Sequence, residues 1–285
     1  MSELIIKYRE KLEQIYRENG NGVNVLKDDL ELFSDEFSKD IESSTDPVCL
    51  YRYTDTGYFN LRNLELEQVY LSNTGELNDI FEGLQIYDMQ DYTSFKECLC
   101  NICDIVKISS FSEIPDSSYM WGHYADSGKG ICVEYDLRLV DNKEILKHLY
   151  PVLYFDGRFD AGLKINDLVN ENIEINRGLC GDGNLLENAE MLYEVLPLYL
   201  VKGKEWCMER EWRIAYDKIE YTIAKIDSVL KMSCITSIIK GYRLDNPTID
   251  EHISDIAKRL SNSTGRSIAI KKAVPDRNSY KMQII

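Results

Sequence analysis

Histidine, proline and positive charge are scarce in this chain, and long apolar runs are missing. Three His and six Pro stand among 285 residues, and no stretch approaches the roughly 18 apolar residues of a membrane-spanning helix. The first residues, Met1-Ser2-Glu3-Leu4, show no basic segment leading into an apolar one, so neither a secretion signal nor a transit peptide is read and a cytoplasmic protein is expected. With 33 Lys+Arg against 49 Asp+Glu the formal net charge is −16, which argues against coating nucleic acid through bulk electrostatics. The imbalance is uneven: residues 1–100 hold 9 Lys+Arg against 21 Asp+Glu, whereas residues 231–285 hold 10 against 5, so a local basic face is compatible with the sequence. No GxxxxGK[ST], GxSxG, HExxH or GxGxxG is present, and no internal repeat.

What is there is the composition of a globular protein, 44% hydrophobic and 29% charged. Of the eight cysteines, three form the one cluster, Cys98-x-Cys100-x-x-Cys103, which has no fourth ligand nearby. Its surroundings have helical spacing, so reduced, mostly buried thiols are expected and no metal.

Two amphipathic helices open the chain. Leu4, Ile5, Tyr8, Leu12, Ile15 and Tyr16 recur at helical spacing up to Gly20-Asn21-Gly22, and Leu26, Leu30, Phe33, Phe37 and Ile41 define the second. Ser43-Ser44-Thr45-Asp46-Pro47 breaks the pattern and marks an expected junction between a helical N-terminal extension, 1–47, and an α+β domain, 48–285. Beyond it, β-branched and aromatic runs predict strands at 48–53, 68–72, 107–112, 130–136, 150–155, 211–217, 234–240, 267–273 and 279–284. Helices are expected near 57–64, 93–106, 117–126, 137–148, 161–173, 186–201 and 248–262, and a glycine-rich loop at 176–184. Strands mixed irregularly with helices point to the α+β class, not to a doubly wound parallel sheet.

Four clusters carry chemistry. Leu50-Tyr51-Arg52-Tyr53 sets an arginine between aromatics on a strand, which calls for an anionic partner or an aromatic stack, unless it lies on an exposed edge. Tyr70-Leu71-Ser72 leads into Asn78-Asp79-Ile80-Phe81-Glu82, where turn capping competes with cation or ribose binding. Ser110-Phe111-Ser112 precedes Met120-Trp121-Gly122-His123-Tyr124-Ala125, an aromatic helix suited either to a core or to a flat heterocycle. Glu209-x-Glu211-x-Arg213, read as extended, lines one strand face with two carboxylates and a guanidinium, a structural network or a carboxylate aimed at a sugar hydroxyl.

In order and spacing these clusters, with Gly130-x-Cys132-x-Glu134 and Ile239-Lys240-Gly241, resemble the bacterial domain-of-unknown-function 2971 family over roughly residues 49–285. Ile80 departs from that pattern, which usually has proline there. The order of an Arg strand, a Tyr-x-Ser strand and a late Glu strand is similar, at greater distance, to the skeleton of ADP-ribosyltransferases. That resemblance implies a mixed, largely antiparallel sheet core and NAD as substrate. It implies catalytic roles for Arg52, Tyr70 and Glu211, with Tyr53, Ser72, Ser110, Ser112, Trp121, His123, Tyr124, Glu209 and Arg213 around the dinucleotide. The function so implied is transfer of ADP-ribose to a macromolecule, either protein or nucleic acid (DNA or RNA), in a toxin or phage-defence effector, with an antitoxin or regulatory protein as possible partner and no membrane. A metal-dependent nuclease or hydrolase using Asp79, Glu82, His123, Glu209 and Glu211, and a non-catalytic binding or sensor module, are the alternatives. Three expectations follow: Arg52, Tyr70, Trp121, His123 and Glu211 converge on one pocket; His123 is a buried structural residue; and Glu211→Gln leaves melting near the wild-type value.

Overall fold

The computed structural model describes residues 2–20, 25–79, 106–157, 196–217 and 228–285. Helix α1 (Glu3–Glu18) buries Ile5, Tyr8, Leu12 and Tyr16 on one stripe, and α2 (Lys27–Ser43) buries Leu30, Phe33, Phe37 and Ile41. The 3.6-residue period fixes both stripes, and Asp28 and Asp29 in the first turn of α2 complement its dipole. The helices meet through Tyr8, whose ring lies edge-on to Phe33 at 5.5 Å and 4.8 Å from Phe37.

The same aromatics continue into the body of the protein. Phe37 stacks on Trp212 at 5.0 Å, Phe33 on Tyr150 at 5.8 Å, and the Tyr16 hydroxyl donates to the Pro197 carbonyl at 3.0 Å. Residues of both helices belong to one continuous core with the sheet. The expected junction at residue 47 therefore separates two textures of sequence but not two cores.

The strands are β1 (Cys49–Thr54), β2 (Gln68–Tyr70), β3 (Ser72–Asn73), β4 (Val106–Ser112), β5 (Ile131–Asp136), β6 (Leu149–Pro151), β7 (Leu153–Phe155), β8 (Val201–Gly203), β9 (Glu211–Asp217), β10 (Val229–Lys231), β11 (Ile235–Lys240), β12 (Ala269–Pro275) and β13 (Met282–Ile284). Between them lie α3 (Tyr58–Glu65), α4 (Ser118–His123), α5 (Glu144–Lys147) and α6 (Pro247–Thr264). Among the described residues the main sheet runs β13-β12-β11-β5-β1-β4-β9-β6, with β3 also on β4. Every pairing in it is antiparallel except β11 with β12, which are joined by α6. That crossover helix is capped by Asn246, starts with Pro247 and ends at Gly265 with φ 67°, a conformation glycine adopts without penalty. The protein is thus α+β, with a mostly antiparallel sheet and N-terminal helices.

The pairing is discontinuous at its centre. β1 pairs with β5 from Cys49 to Thr54, and β4 pairs with β9 from Val106 to Ser112. Between β1 and β4, however, the only paired position is Tyr51 with Ser112. The two strands part beyond it, and the sheet opens into halves hinged on one residue pair.

Several expectations shift. β8 and β10 are three-residue strands, too short for an alternating pattern to register, and Val201 begins β8 instead of ending a helix over 186–201. The helix expected at 137–148 is a 3₁₀ turn, Leu137–Leu139, followed by α5, because the Asp136 carboxylate caps the Arg138 amide and starts a separate turn. The helices expected near 93–106 and 161–173, the cysteine cluster and the loop at 176–184 lie outside the described residues. Cys49, Cys132, Cys207 and Cys234 are free thiols, and burial raises the pKa of Cys132 and Cys234.

Candidate functional site

The opening between β1 and β4 is a cavity of about 170 Å³. β1 contributes Tyr51, Arg52 and Tyr53, β4 contributes Ile108 to Ser112, and α4 with its following residue contributes Met120 and Tyr124. Ser72, Leu77, Asn78, Lys202, Glu209 and Glu211 complete the wall. Eight of the residues expected around the dinucleotide are here: Arg52, Tyr53, Ser72, Ser110, Ser112, Tyr124, Glu209 and Glu211.

Register assigns their sides. Tyr51 opposes Ser112, Ser112 opposes Glu211, and Ser110 opposes Arg213, so these side chains share one face of the sheet. Arg52, one residue on from Tyr51, belongs to the opposite face. It reaches the same cavity only because β1 and β4 have separated. Its Nη1 donates to Ser109 Oγ at 2.5 Å and to the Ser110 carbonyl at 3.1 Å, and its guanidinium lies over the Phe111 ring at 5.9 Å. No carboxylate lies within ion-pair distance of Arg52 among the described residues. Burial lowers its pKa, yet a guanidinium stays charged at neutral pH, so this wall presents a cation with no anionic partner among the described residues.

The opposite wall holds a charge network. Glu211 accepts from Arg213 Nε at 2.8 Å and from Nη2 at 3.1 Å, the two-point geometry of a guanidinium on a carboxylate. Lys202 Nζ sits 2.8 Å from Glu211 and 2.9 Å from Glu209, bridging the two acids. Tyr124 donates its hydroxyl to Glu209 Oε1. Arg213, with a side-chain exposure of 0%, also donates to the Tyr199 carbonyl.

The two acids respond oppositely. Burial would raise the Glu211 pKa, but Arg213 and then Lys202 outweigh it and hold the carboxyl well below the usual carboxylate range. For Glu209, burial prevails over the attraction of Lys202, and the neighbouring Glu211 charge adds to the rise. One fixed anion therefore stands beside one carboxyl that takes up a proton more readily, a pairing that serves acid–base chemistry.

Glu209 and Glu211 do not meet by strand alternation, as an extended 209–214 segment would require. Glu209 closes a 3₁₀ turn, Lys204–Glu209, and Arg210 adopts φ 47° and ψ 52° before β9 begins at Glu211. The kink is anchored on both sides. Ser112 Oγ donates to the Glu209 carbonyl at 2.7 Å, and Arg210 Nε donates to the buried Glu113 at 2.7 Å. Glu113 also accepts from Trp212 Nε1 at 2.9 Å and Arg9 Nε at 2.5 Å, and Arg9 Nη2 continues to the Glu211 carbonyl at 2.8 Å.

Four expected site residues lie elsewhere. Tyr70, 38% exposed, is on β2, which pairs with β10 outside the main sheet, and it lines a separate hollow with Arg52. Trp121 points into a small second core, edge-on to Tyr53 at 5.2 Å, its indole donating to the Pro115 carbonyl at 2.8 Å. Arg213 stands behind Glu211. His123 is not buried: it is exposed on α4, 4.3 Å from the Tyr119 ring, because the α4 stripe formed by Met120, Trp121 and Tyr124 turns it outward. Asp79 is buried, Glu82 lies outside the described residues, and no group of three His, Cys, Asp or Glu suited to a metal ion occurs among the described residues. The sequence alone assigned Lys202 and Asn78 no individual role in the site, although Asn78 stands in the second sequence cluster. The sequence signal for Lys202 was its place in Lys202-x-Lys204-Glu205-Trp206, where Trp206 now lies under its ammonium at 5.5 Å.

Residues 120–214 match the family model described as "Protein of unknown function (DUF2971)". The family resemblance is thus shown for a span running from α4 through Lys202, Glu209 and Glu211 into β9. Arg52 lies outside the matched residues. No curated protein and no solved structure matches the chain.

Proposed function

We propose that the cavity binds the nicotinamide-ribose end of NAD and that the protein transfers ADP-ribose to a macromolecular acceptor. The observation that carries this reading is that Arg52 and Glu211, far apart in sequence, line one cavity where the sheet parts. The space matches a fragment and not a whole dinucleotide: about 170 Å³ lies below the roughly 300–1,000 Å³ of ordinary ligand pockets. A nicotinamide-ribose portion would sit beside the acids, and the Arg52 guanidinium suits a phosphate.

Breaking the bond between the ribose C1′ and the nicotinamide nitrogen leaves the electron pair on nicotinamide and positive character on the ribose. A pre-ionised Glu211, held by Arg213 and Lys202, stabilises that charge without reorganising at the moment of reaction. Glu209, with its raised pKa and its Tyr124 partner, is placed to accept the proton of an incoming acceptor hydroxyl or amine.

Released nicotinamide, followed chromatographically with NAD and mixed protein, DNA and RNA acceptors, tests the proposal. Arg52→Met is the informative variant because it deletes the cation without stranding a carboxylate. Wild-type release, reduced about 10²-fold or more in a folded Arg52→Met, is expected. No release by the wild type with any acceptor class, or equal release by the variant, overturns the assignment. Binding of NAD without turnover would favour the sensor reading, which the occupied oxygens of Glu211 also suit.

A further inference from the structure

The acidic chain has one open cleft whose walls are basic and aromatic. It lies on the far side of α4 from the site, with a volume of about 840 Å³. Trp121 and Gly122 of α4 form one wall, Tyr242 and Arg243 the floor, and the turn between β12 and β13, carrying Arg277 and Tyr280, the other. Tyr280 is 97% exposed, an unusual position for a large ring in a folded protein. The Arg243 guanidinium lies over the Tyr242 ring at 5.0 Å, and its one hydrogen bond among the described residues is to the Ser127 carbonyl, at 3.4 Å. Arg277 forms no hydrogen bond or ion pair among the described residues. Lys281 is paired with Asp116 at 3.1 Å, and the Asp276 carboxylate is turned back onto the Asn278 amide at 2.7 Å. Two guanidinium groups without an ion-pair partner among the described residues and one fully exposed tyrosine ring, that of Tyr280, therefore share one trough.

We infer that this cleft binds single-stranded nucleic acid, a base stacking on Tyr280 and the neighbouring phosphates meeting Arg277 and Arg243. Stacking faces alternating with guanidinium groups are what an unpaired strand recognises, since every base has a π face and every linkage a charge. A protein partner that is merely acidic would use the arginines and leave the exposed tyrosine unused. Duplexes keep their bases stacked and offer Tyr280 nothing to stack upon. The net charge of −16 disfavours a polyanion over the chain as a whole, whereas residues 231–285, which supply Arg243, Arg277 and Tyr280, hold 10 Lys+Arg against 5 Asp+Glu. Position adds a consequence that rests on the proposed function: Ser118, Trp121 and Gly122 of α4 line the cleft while Met120 and Tyr124 line the catalytic cavity, so a bound strand would lie one helix away from the site of transfer.

The test measures binding alone, without NAD, so that it stands apart from catalysis. Fluorescence anisotropy would be read with the full chain and labelled 12-nucleotide single strands, one DNA and one RNA, against a duplex and against a polyglutamate peptide. Expected are binding of at least one single strand in preference to duplex and peptide, and a log–log salt slope near −1.4, about 0.7 for each of two phosphates. Tyr280→Ala should weaken affinity about tenfold, and Arg277→Glu should weaken it further and flatten the salt slope. Both residues are on the surface, so these variants should melt as the wild type does and leave nicotinamide release from NAD alone unchanged. No measurable affinity for either strand, equal affinity for the peptide, or affinity indifferent to both substitutions overturns the inference. Nicotinamide release without strand binding would leave the transferase reading standing and remove this one, and the reverse result would do the opposite.

Discussion

Replacing Glu211 by glutamine is the substitution that the chemistry of the site most invites, and the geometry says that it unbalances the fold first. The sequence suggested near-wild-type melting, since an amide can still accept from Arg213. In the structure Glu211 neutralises a guanidinium with 0% side-chain exposure and shares Lys202, itself 7% exposed, with Glu209. Removing the charge leaves Arg213 buried with no anion, a loss that costs about 3–5 kcal/mol where measured for buried pairs. With a urea dependence near 3 kcal/mol per molar, the top of the range for single domains, the midpoint should fall by about 1–1.7 M. Arg213→Met should also destabilise, because Glu211 then keeps only Lys202. The double variant Glu211→Gln, Arg213→Met should be more stable than either single one: the orphaned charge is gone and Lys202 still has Glu209. Urea unfolding followed by tryptophan fluorescence gives all three midpoints. A Glu211→Gln midpoint within about 0.3 M of wild type, or strictly additive single effects, would refute the reading of this network as a coupled buried pair. Loss of nicotinamide release in Glu211→Gln is interpretable only below its own unfolding transition.

Two further outcomes follow from particular contacts. His148, stacked on Tyr216 at 4.0 Å, is pushed down to about 4 from 6.5 by burial, so it stays neutral in the fold while the unfolded chain takes up the proton. Its contribution is complete above pH 6.5 and is lost as pH falls toward 4, up to about 3 kcal/mol; His148→Phe should flatten that part of a stability-versus-pH profile, and an unchanged slope would exclude His148 as its source. Removing residues 1–47 should not release an independent domain, because Phe37 and Phe33 leave Trp212 and Tyr150; a sharp two-state transition with intact near-ultraviolet circular dichroism in 48–285 would contradict this.

The central strands were readable because each carries a residue pattern that only an extended segment satisfies. Val106 to Ser112 and Ile131 to Asp136 are β-branched and aromatic, and both were placed to within a residue. The long helices were equally readable, since α1, α2 and α6 each repeat an apolar stripe over four or more turns. What failed to register was short or backbone-determined. β8 and β10 have three residues each, and Arg210 takes a left-handed conformation that nothing in its side chain announces. The outward turn of His123 is a matter of phase on a six-residue helix, where one residue of error exchanges inside for outside. Lys202 was visible as a cation near acids, but its bridging of Glu209 and Glu211 depends on the Arg210 kink and on β8 lying beside β7, both long-range outcomes.

The separation of β1 from β4 also gives the Arg52 guanidinium a role in the fold. Where two strands part, backbone carbonyls lose their ladder partners and must find other donors or pay the desolvation cost. Here charged and hydroxyl side chains take over. Arg52 caps the Ser110 carbonyl at the parting itself; beside it Ser112 meets the Glu209 carbonyl at the Arg210 kink, and Arg9 adds a second donor to the Glu211 carbonyl, which already accepts from the Val152 amide. A guanidinium is suited to this work because it spreads several donors over a fixed fork. Each such cation then needs an anion or an unusually polar surrounding: Arg9 and Arg210 have Glu113, Arg213 has Glu211, and Lys202 has both acids. Arg52 alone in this set lacks one among the described residues. The opening between β1 and β4 and the charge network built on the Arg210 kink therefore meet at one cavity. Helix α1 is part of that arrangement through Arg9, so a displacement of the N-terminal helices would reach Glu211 through a single side chain.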